Sequence, residues 1–188
     1  MPSSKKISHN IAYIDGQNLH LGTKSDGWTI DIQKFRVYLR DKYKITQAYY
    51  FLGYVQDGNE VLYTKLQEAW FIVIFKKQML EMKSTKKGNI DSDLIFHVMA
   101  KLMDDGSSWD KIVLVSGDGD FKILVDYLIK KDRLCKIIFP NKKYASSLYN
   151  DLTNMYFAYL SHNKKRLSHH STHQHIAITK KNNQKRGT

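Results

Sequence analysis

Apolar residues fall along this chain in two patterns, short runs and longer amphipathic stretches. The short runs predict strands at residues 9–14, 46–54, 71–75, 111–115, 134–139 and 156–160. The spacing in the longer stretches predicts helices at residues 30–42, 60–70, 91–103, 121–131 and 145–152. Residues 16–29, which include Gly22 and Gly27, are predicted to be a loop. The basic residues 76–87 fit a strand that runs into a loop.

The order of these elements indicates the class of fold. Strands alternate with helices, and several of the strands are wholly apolar, as in a parallel sheet that helices cover on both faces. We therefore predict an α/β domain over residues 8–160, with a mostly parallel central sheet flanked by helices. The apolar pattern ends there, and residues 161–188 are predicted to be a disordered basic tail rich in His and Lys.

The charge is distributed unevenly along the chain. The 188 residues carry a formal net charge of +12, and residues 161–188 hold seven Lys and Arg with no Asp or Glu. About +5 is left for the rest of the chain. A basic surplus indicates a polyanionic partner, with nucleic acid ahead of an anionic membrane. A generally basic, soluble surface is the alternative.

The sequence also excludes some classes of site and of protein. Cys135 is the only cysteine, which excludes an internal disulfide and a zinc site built on cysteines. It lies in an apolar run and is predicted to be a core thiol. No apolar run approaches the length that spans a bilayer. We therefore expect a cytoplasmic protein without a membrane partner.

Carboxylates follow the predicted strands at three places. Asp15 comes directly after the first strand, and Asp118 and Asp120 follow the strand at 111–115. Asp91 and Asp93 open a predicted helix. Because ligands of open parallel sheets bind outside the carboxyl ends of the strands, we expect these side chains to meet there.

The chemistry of such a cluster favours a metal ion. Carboxylates that are crowded together repel one another unless a cation lies between them, and Mg²⁺ prefers oxygen ligands. A bound Mg²⁺ can activate water and stabilise the leaving oxygen of a phosphodiester. Two ions about 3.5–4 Å apart do both. The neighbouring Lys86 and Lys87 are predicted to contact the substrate backbone.

Each of these places also has an ordinary structural explanation. Asp15 with Gly16 is a common way to end a strand. Asp91 and Asp93 suit the amino end of any helix. Residues 116–120 fit a turn that cradles a phosphate. The three places together make the purely structural explanation less favourable than any one of them does.

Three further residues lie near these acids in the sequence. Asn18 could orient Asp15 or a metal-bound water, and Ser116 could contact a phosphate or a metal-bound water. Both residue types are also common in turns. His97 shares a helix face with Asp93, at four residues' distance. It faces the acidic site, lies on the helix surface or lies at the edge of the core.

Three motifs resemble those of NYN domains, the branch of PIN-like ribonucleases that includes LabA-like proteins. YIDGQNL at residues 13–19 resembles the opening motif, KGNIDSDL at 87–94 the middle motif and VSGDGDF at 115–121 the third. Their order and rough spacing agree, and the resemblance covers about residues 8–160. It implies a Rossmann-like PIN fold with five or six strands, and RNA cleavage that depends on Mg²⁺ or Mn²⁺.

The resemblance also implies roles for single residues. It places Asp15, Asp91, Asp118 and Asp120 at the metal site, with Asn18 beside them. Asp93 matches a position that is often acidic in the family. Many relatives carry an acidic residue where this chain has His97, and this departure favours one bound ion over two.

We therefore predict a ribonuclease in which an aspartate-bound ion and an activated water hydrolyse RNA. The predicted catalytic residues are Asp15, Asp91, Asp118 and Asp120. The predicted metal ligands are Asp15, Asp91, Asp93 and Asp118. The predicted substrate contacts are Asn18, Ser116, Lys86 and Lys87.

Two other functions are compatible with parts of the pattern, and a homodimer is compatible with all of it. A non-catalytic RNA-binding or regulatory module would keep the fold and the basic tail. A phosphatase of the haloacid dehalogenase type requires a second Asp two residues after its nucleophile. Gln17 occupies that place here, which makes the phosphatase the weakest hypothesis.

Overall fold

The computed structural model describes residues 9–76, 90–104 and 109–169. The strands in these ranges are β1 (Asn10–Asp15), β2 (Ile45–Leu52), β3 (Ile72–Phe75), β4 (Ile112–Val115), β5 (Leu134–Phe139) and β6 (Phe157–Tyr159). The α-helices are α1 (Gly16–Ser25), α2 (Ile32–Tyr43), α3 (Glu60–Glu68), α4 (Ile90–Asp104), α5 (Lys122–Lys130) and α6 (Lys164–Leu167). None of these helices combines the length and the apolar character needed to cross a membrane.

The six strands form one sheet in the order β3-β2-β1-β4-β5-β6, and every neighbouring pair is parallel. This confirms the predicted α/β class with a parallel central sheet. β2 and β3 lie on one side of β1, and β4, β5 and β6 lie on the other. The strand order therefore reverses between β1 and β4. Such a reversal leaves a crevice at the carboxyl ends of the two strands. Asp15 and Ser116 lie at those ends.

Two apolar layers cover the sheet. Successive residues of a strand point to opposite faces. Ile14 of β1 therefore packs with α2 residues such as Phe35 and Leu39. Tyr13 packs on the other face with α4 and α5 residues such as Val98 and Leu128. The buried side chains of the two layers hold the sheet between the helices.

The prediction of a loop directly after β1 is wrong, because residues 16–25 form α1. The Asp15 side chain caps this helix by accepting a hydrogen bond from the Asn18 backbone N–H at 3.0 Å. Gly22 does not break the helix. A Cβ at Gly22 would overlap the Pro140 ring, so the glycine allows α1 to pack closely against the loop after β5.

The helix predicted at residues 145–152 is also wrong. Residues 142–144 and 147–149 form two short 3₁₀ turns instead. Asn141 caps the first turn by accepting from the Tyr144 backbone N–H, and Ser146 caps the second by accepting from the Leu148 N–H. Side chains of this kind compete with helical hydrogen bonds and favour turns.

The ordered chain extends beyond the predicted boundary at residue 160. Residues 160–163 form a 3₁₀ turn that leads into α6. Leu167 is fully buried, and Ser168 forms an antiparallel bridge with Ile30. One leucine therefore anchors a segment that looks uniformly polar in sequence. Residues 170–188, and all but Lys76 of the predicted segment 76–87, lie outside the described residues.

Candidate active site

Asp15 joins α1 to the loop that follows β4. Its Oδ1 accepts a hydrogen bond from the Asn18 backbone N–H at 3.0 Å, and its Oδ2 accepts one from the Ser116 hydroxyl at 3.1 Å. Burial raises the pKa of the Asp15 carboxyl. The hydrogen bonds from Asn18 and Ser116 oppose this rise, and the charge of Asp118 adds to it. Asp15 is therefore a buried carboxyl that lies close enough to Asp118 for their charges to interact.

The loop after β4, residues 116–120, is folded by its own side chains. The buried Ser116 hydroxyl accepts a hydrogen bond from the Asp118 backbone N–H at 3.1 Å. The Asp118 Oδ1 accepts one from the Asp120 N–H at 3.0 Å. Asn18 holds the loop from α1, because its Oδ1 accepts from the Gly117 N–H at 2.9 Å. These contacts fix Asp118 and Asp120 at the crevice between β1 and β4.

Two residues hold the same loop from its outer side. A Cβ at Gly117 would overlap the Tyr144 carbonyl oxygen, so only glycine fits between the loop and the 3₁₀ turn at 142–144. The buried Tyr149 hydroxyl donates a hydrogen bond to the Asp118 carbonyl oxygen at 2.5 Å. Sequence reasoning missed Tyr149, because no local pattern connects it with a loop 31 residues earlier.

Three carboxylates meet at this edge of the sheet. One oxygen each of Asp91, Asp118 and Asp120 lies within 4.8 Å of the other two. Asp91 comes from the first turn of α4, and the other two come from the loop after β4. Asp91 and Asp118 are half-buried, and Asp120 is exposed. Water and ligands can therefore reach the group from one side.

This group fits a divalent cation. Mg²⁺ binds oxygens at about 2.0–2.1 Å in an octahedron, so its ligand oxygens lie at most about 4.2 Å apart. A shift of a few tenths of an ångström would bring the three carboxylates to that spacing. Three neighbouring negative charges repel one another, and a cation would remove that repulsion.

The remaining predicted residues lie in different places. The group of three does not include Asp15, which is hydrogen-bonded to Asn18 and Ser116, or Asp93, which is exposed on α4. Asp120, which was expected to be catalytic but was not among the expected ligands, belongs to the group. Asn18 and Ser116 hold the loop through the contacts given above. Lys86 and Lys87 lie outside the described residues.

His97 packs at the edge of the core. Its ring lies between those of Tyr13, Tyr49 and Phe51, with centroid distances of 5.9, 4.8 and 5.7 Å. Burial lowers the pKa of His97, and the charge of Lys101 lowers it further. Its Nδ1 is buried with no hydrogen-bond partner among the described residues. Of the three positions that the sequence left open, the structure favours the core edge.

Comparisons with known proteins agree with this architecture. The sequence model of the NYN domain matches residues 11–183. "Low amplitude and bright protein LabA" from Synechococcus elongatus is 22% identical over 143 residues, which are 73% of this chain and 77% of that protein. The crystal structure of a protein of unknown function from Vibrio parahaemolyticus aligns with a TM-score of 0.68 at 19% identity, over 84% of this chain and 96% of that one. The resemblance and the fold that the three motifs predicted are confirmed.

Proposed function

This chain belongs to the NYN domain family, and from that premise we propose that it is a metal-dependent ribonuclease. NYN domains are a family of PIN-like nucleases. The observation that carries the proposal is the group formed by Asp91, Asp118 and Asp120, whose oxygens lie within 4.8 Å of one another. The basic charge of +12 supports an RNA substrate.

In this proposal Asp91, Asp118 and Asp120 would hold one Mg²⁺ or Mn²⁺. When bound there, the ion would supply activation of water and stabilisation of the charge that develops on the phosphate. Asp15 does not contact the substrate. It orients Asn18 and Ser116, which in turn hold the loop that carries two of the three ligands.

The exposure of the group sets the side from which RNA approaches. Asp120 is exposed, so its side of the group faces the incoming phosphodiester. Asn18 is hydrogen-bonded to the loop, and Ser116 is hydrogen-bonded to Asp15. We therefore assign both residues a role in positioning the loop, in preference to contact with the substrate. Contacts of Lys86 and Lys87 with phosphates, and a homodimer, stay predictions.

An RNA-binding module without catalytic activity is the second candidate. The position of Asp15 outside the group of three favours it, because fewer acids then remain to hold an ion. The two candidates differ in their response to metal removal, since phosphate contacts made by Lys and Arg require no divalent ion.

The proposal is tested with a labelled single-stranded RNA and purified protein. We expect cleavage with Mg²⁺ or Mn²⁺, no cleavage with excess EDTA, and no cleavage by Asp118→Asn, which should still bind the RNA. Asp132→Asn is the matched control. Asp132 lies in the turn before β5 with a φ of 53°, a conformation that Asn tolerates well. Full activity of Asp118→Asn, or cleavage in EDTA, would overturn the proposal.

A further inference from the structure

A large cavity lies between α1, α2 and α3, over the carboxyl end of β2. Its volume is about 990 Å³, at the upper end of the range of about 300–1,000 Å³ that is typical of small-ligand sites. The group of three carboxylates is not part of its lining. The proposed ribonuclease mechanism therefore gives this cavity no role.

The cavity adjoins the candidate active site. Gly16 lines it and directly follows Asp15 in the chain. Tyr50 also lines it. Burial raises the pKa of Tyr50, and the nearby charge of Asp15 raises it further. The cavity therefore begins next to Asp15, whose carboxyl interacts electrostatically with Asp118.

Polar side chains form the two facing walls of the cavity. Gln17, His20 and Lys24 recur at three- and four-residue spacing and share one face of α1. Lys65 lines the opposite wall on α3. The amide side chains of Gln56 and Asn59 lie at one end. These walls offer donors and acceptors to a polar heterocycle, and ammonium groups to phosphates.

The inner surface is apolar and partly aromatic. Trp28, Tyr50 and Leu52 line it. Trp28 is only 7% exposed, and its indole N–H has no hydrogen-bond partner within residues 9–76, 90–104 and 109–169. An aromatic and aliphatic surface between polar walls suits a flat base, because every base has a π-face that can lie against it.

The charges agree with an anionic strand. Lys24 and Lys65 stand on opposite walls. Two acids line the cavity, Asp31 and Glu68. Asp31 caps α2 by accepting a hydrogen bond from the Lys34 backbone N–H at 3.0 Å. Its charge is also paired with the Lys34 ammonium at 3.9 Å. Glu68, the other acid, follows Lys65 by three residues on α3.

We propose that this cavity receives unpaired bases of the RNA strand whose phosphodiester lies at the three carboxylates. The inference rests on the proposed function. It adds a preference for single-stranded RNA, because the hydrogen-bonding edges of bases within a duplex are already paired and their faces are stacked. The bases enter between α1 and α3, and Lys24 and Lys65 contact the phosphates that flank them.

Binding is measured in the Asp118→Asn chain, so that cleavage does not interfere. A fluorescein-labelled single-stranded octaribonucleotide is titrated with this host protein and followed by fluorescence anisotropy. Lys65→Ala should weaken binding about fivefold and reduce the slope of log affinity against log salt by about 0.7, as expected for one lost phosphate contact to a single strand. Gln67→Ala, on the same helix but outside the lining, should change neither quantity.

A second variant adds bulk at the cavity's lining. Gly53 lines the cavity, and a Cβ there would meet no atom within 4 Å, so Gly53→Phe can be accommodated at its first carbon. We expect at least a tenfold loss of affinity, with an unchanged circular dichroism spectrum. A duplex of the same sequence should bind the unmodified host at least tenfold more weakly than the single strand.

The outcomes separate this inference from the ribonuclease proposal. If Lys65→Ala and Gly53→Phe bind the octamer as tightly as the host, or if the duplex binds equally well, the cavity does not receive the strand. Displacement of the octamer by a nucleoside monophosphate at equal concentration would show a separate nucleotide site and overturn the inference. Metal-dependent cleavage by the wild-type chain is scored independently, and would stand in each of these cases.

Discussion

Ser116→Ala tests whether one buried hydroxyl holds together the two sides of the crevice between β1 and β4. Ser116 is fully buried, donates to Asp15 Oδ2 at 3.1 Å and accepts from the Asp118 N–H at 3.1 Å. The substitution removes one oxygen and leaves both partners without this contact.

The expected loss of stability follows from these two hydrogen bonds. A hydrogen bond to a charged group contributes about 1.5–3 kcal/mol, and one between neutral groups about 0.5–1.5 kcal/mol. We therefore expect Ser116→Ala to lower the free energy of unfolding by about 2–4 kcal/mol. The hydroxyl also lowers the pKa of Asp15, so its loss should raise that pKa further.

Equilibrium unfolding in urea measures the change. The matched control is Ser147→Ala, at an exposed serine in a 3₁₀ turn, which should change stability by less than about 0.5 kcal/mol. A loss below 1 kcal/mol for Ser116→Ala, or equal losses for the two variants, would refute the reasoning. The two partners would then be satisfied in some other way.

Three further predictions concern other parts of the fold and site. Leu167→Ala should lower the free energy of unfolding by about 2–4 kcal/mol, because the side chain is fully buried; an effect no larger than that of the exposed Lys165→Ala would contradict this. Tyr149→Phe should weaken Mn²⁺ binding in calorimetry about fivefold, since the Asp118 carbonyl loses a donor; equal affinity would count against the role. Because the pKa of Asp15 is raised in the folded state, stability should fall as pH rises from about 3.9 through that pKa. Asp15→Asn should remove this fall in urea titrations, and identical pH profiles would contradict the assignment.

The sheet and the meeting of the acids could be predicted from the sequence, because both depend on short-range patterns. Each apolar run became a strand of the sheet. The carboxyl ends of parallel strands must lie at one edge, and Asp91, Asp118 and Asp120 do meet at that edge.

The parts that could not be predicted depend on contacts between distant residues. Gly22 resembles a helix breaker until Pro140 packs against it. Leu167 is one apolar residue in a polar segment, and its burial against the sheet appears only in three dimensions. Asp15 looks like a metal ligand by position. Its hydrogen bond from Ser116 joins two residues 101 positions apart, which no local pattern in the sequence indicates.

The pairing of β1 with β4 also sets when the site forms during folding. Asp15 and Ser116 are 101 residues apart in sequence, yet their side chains are hydrogen-bonded. Parallel pairing over such a separation gives a high contact order, and contacts of this kind form slowly and late. During synthesis the amino-terminal strands β1–β3 emerge before β4, so a nascent chain carries Asp15 without the carboxylates it supports. A chain that is only partly folded would therefore lack the hydrogen bond that joins Asp15 to the loop after β4.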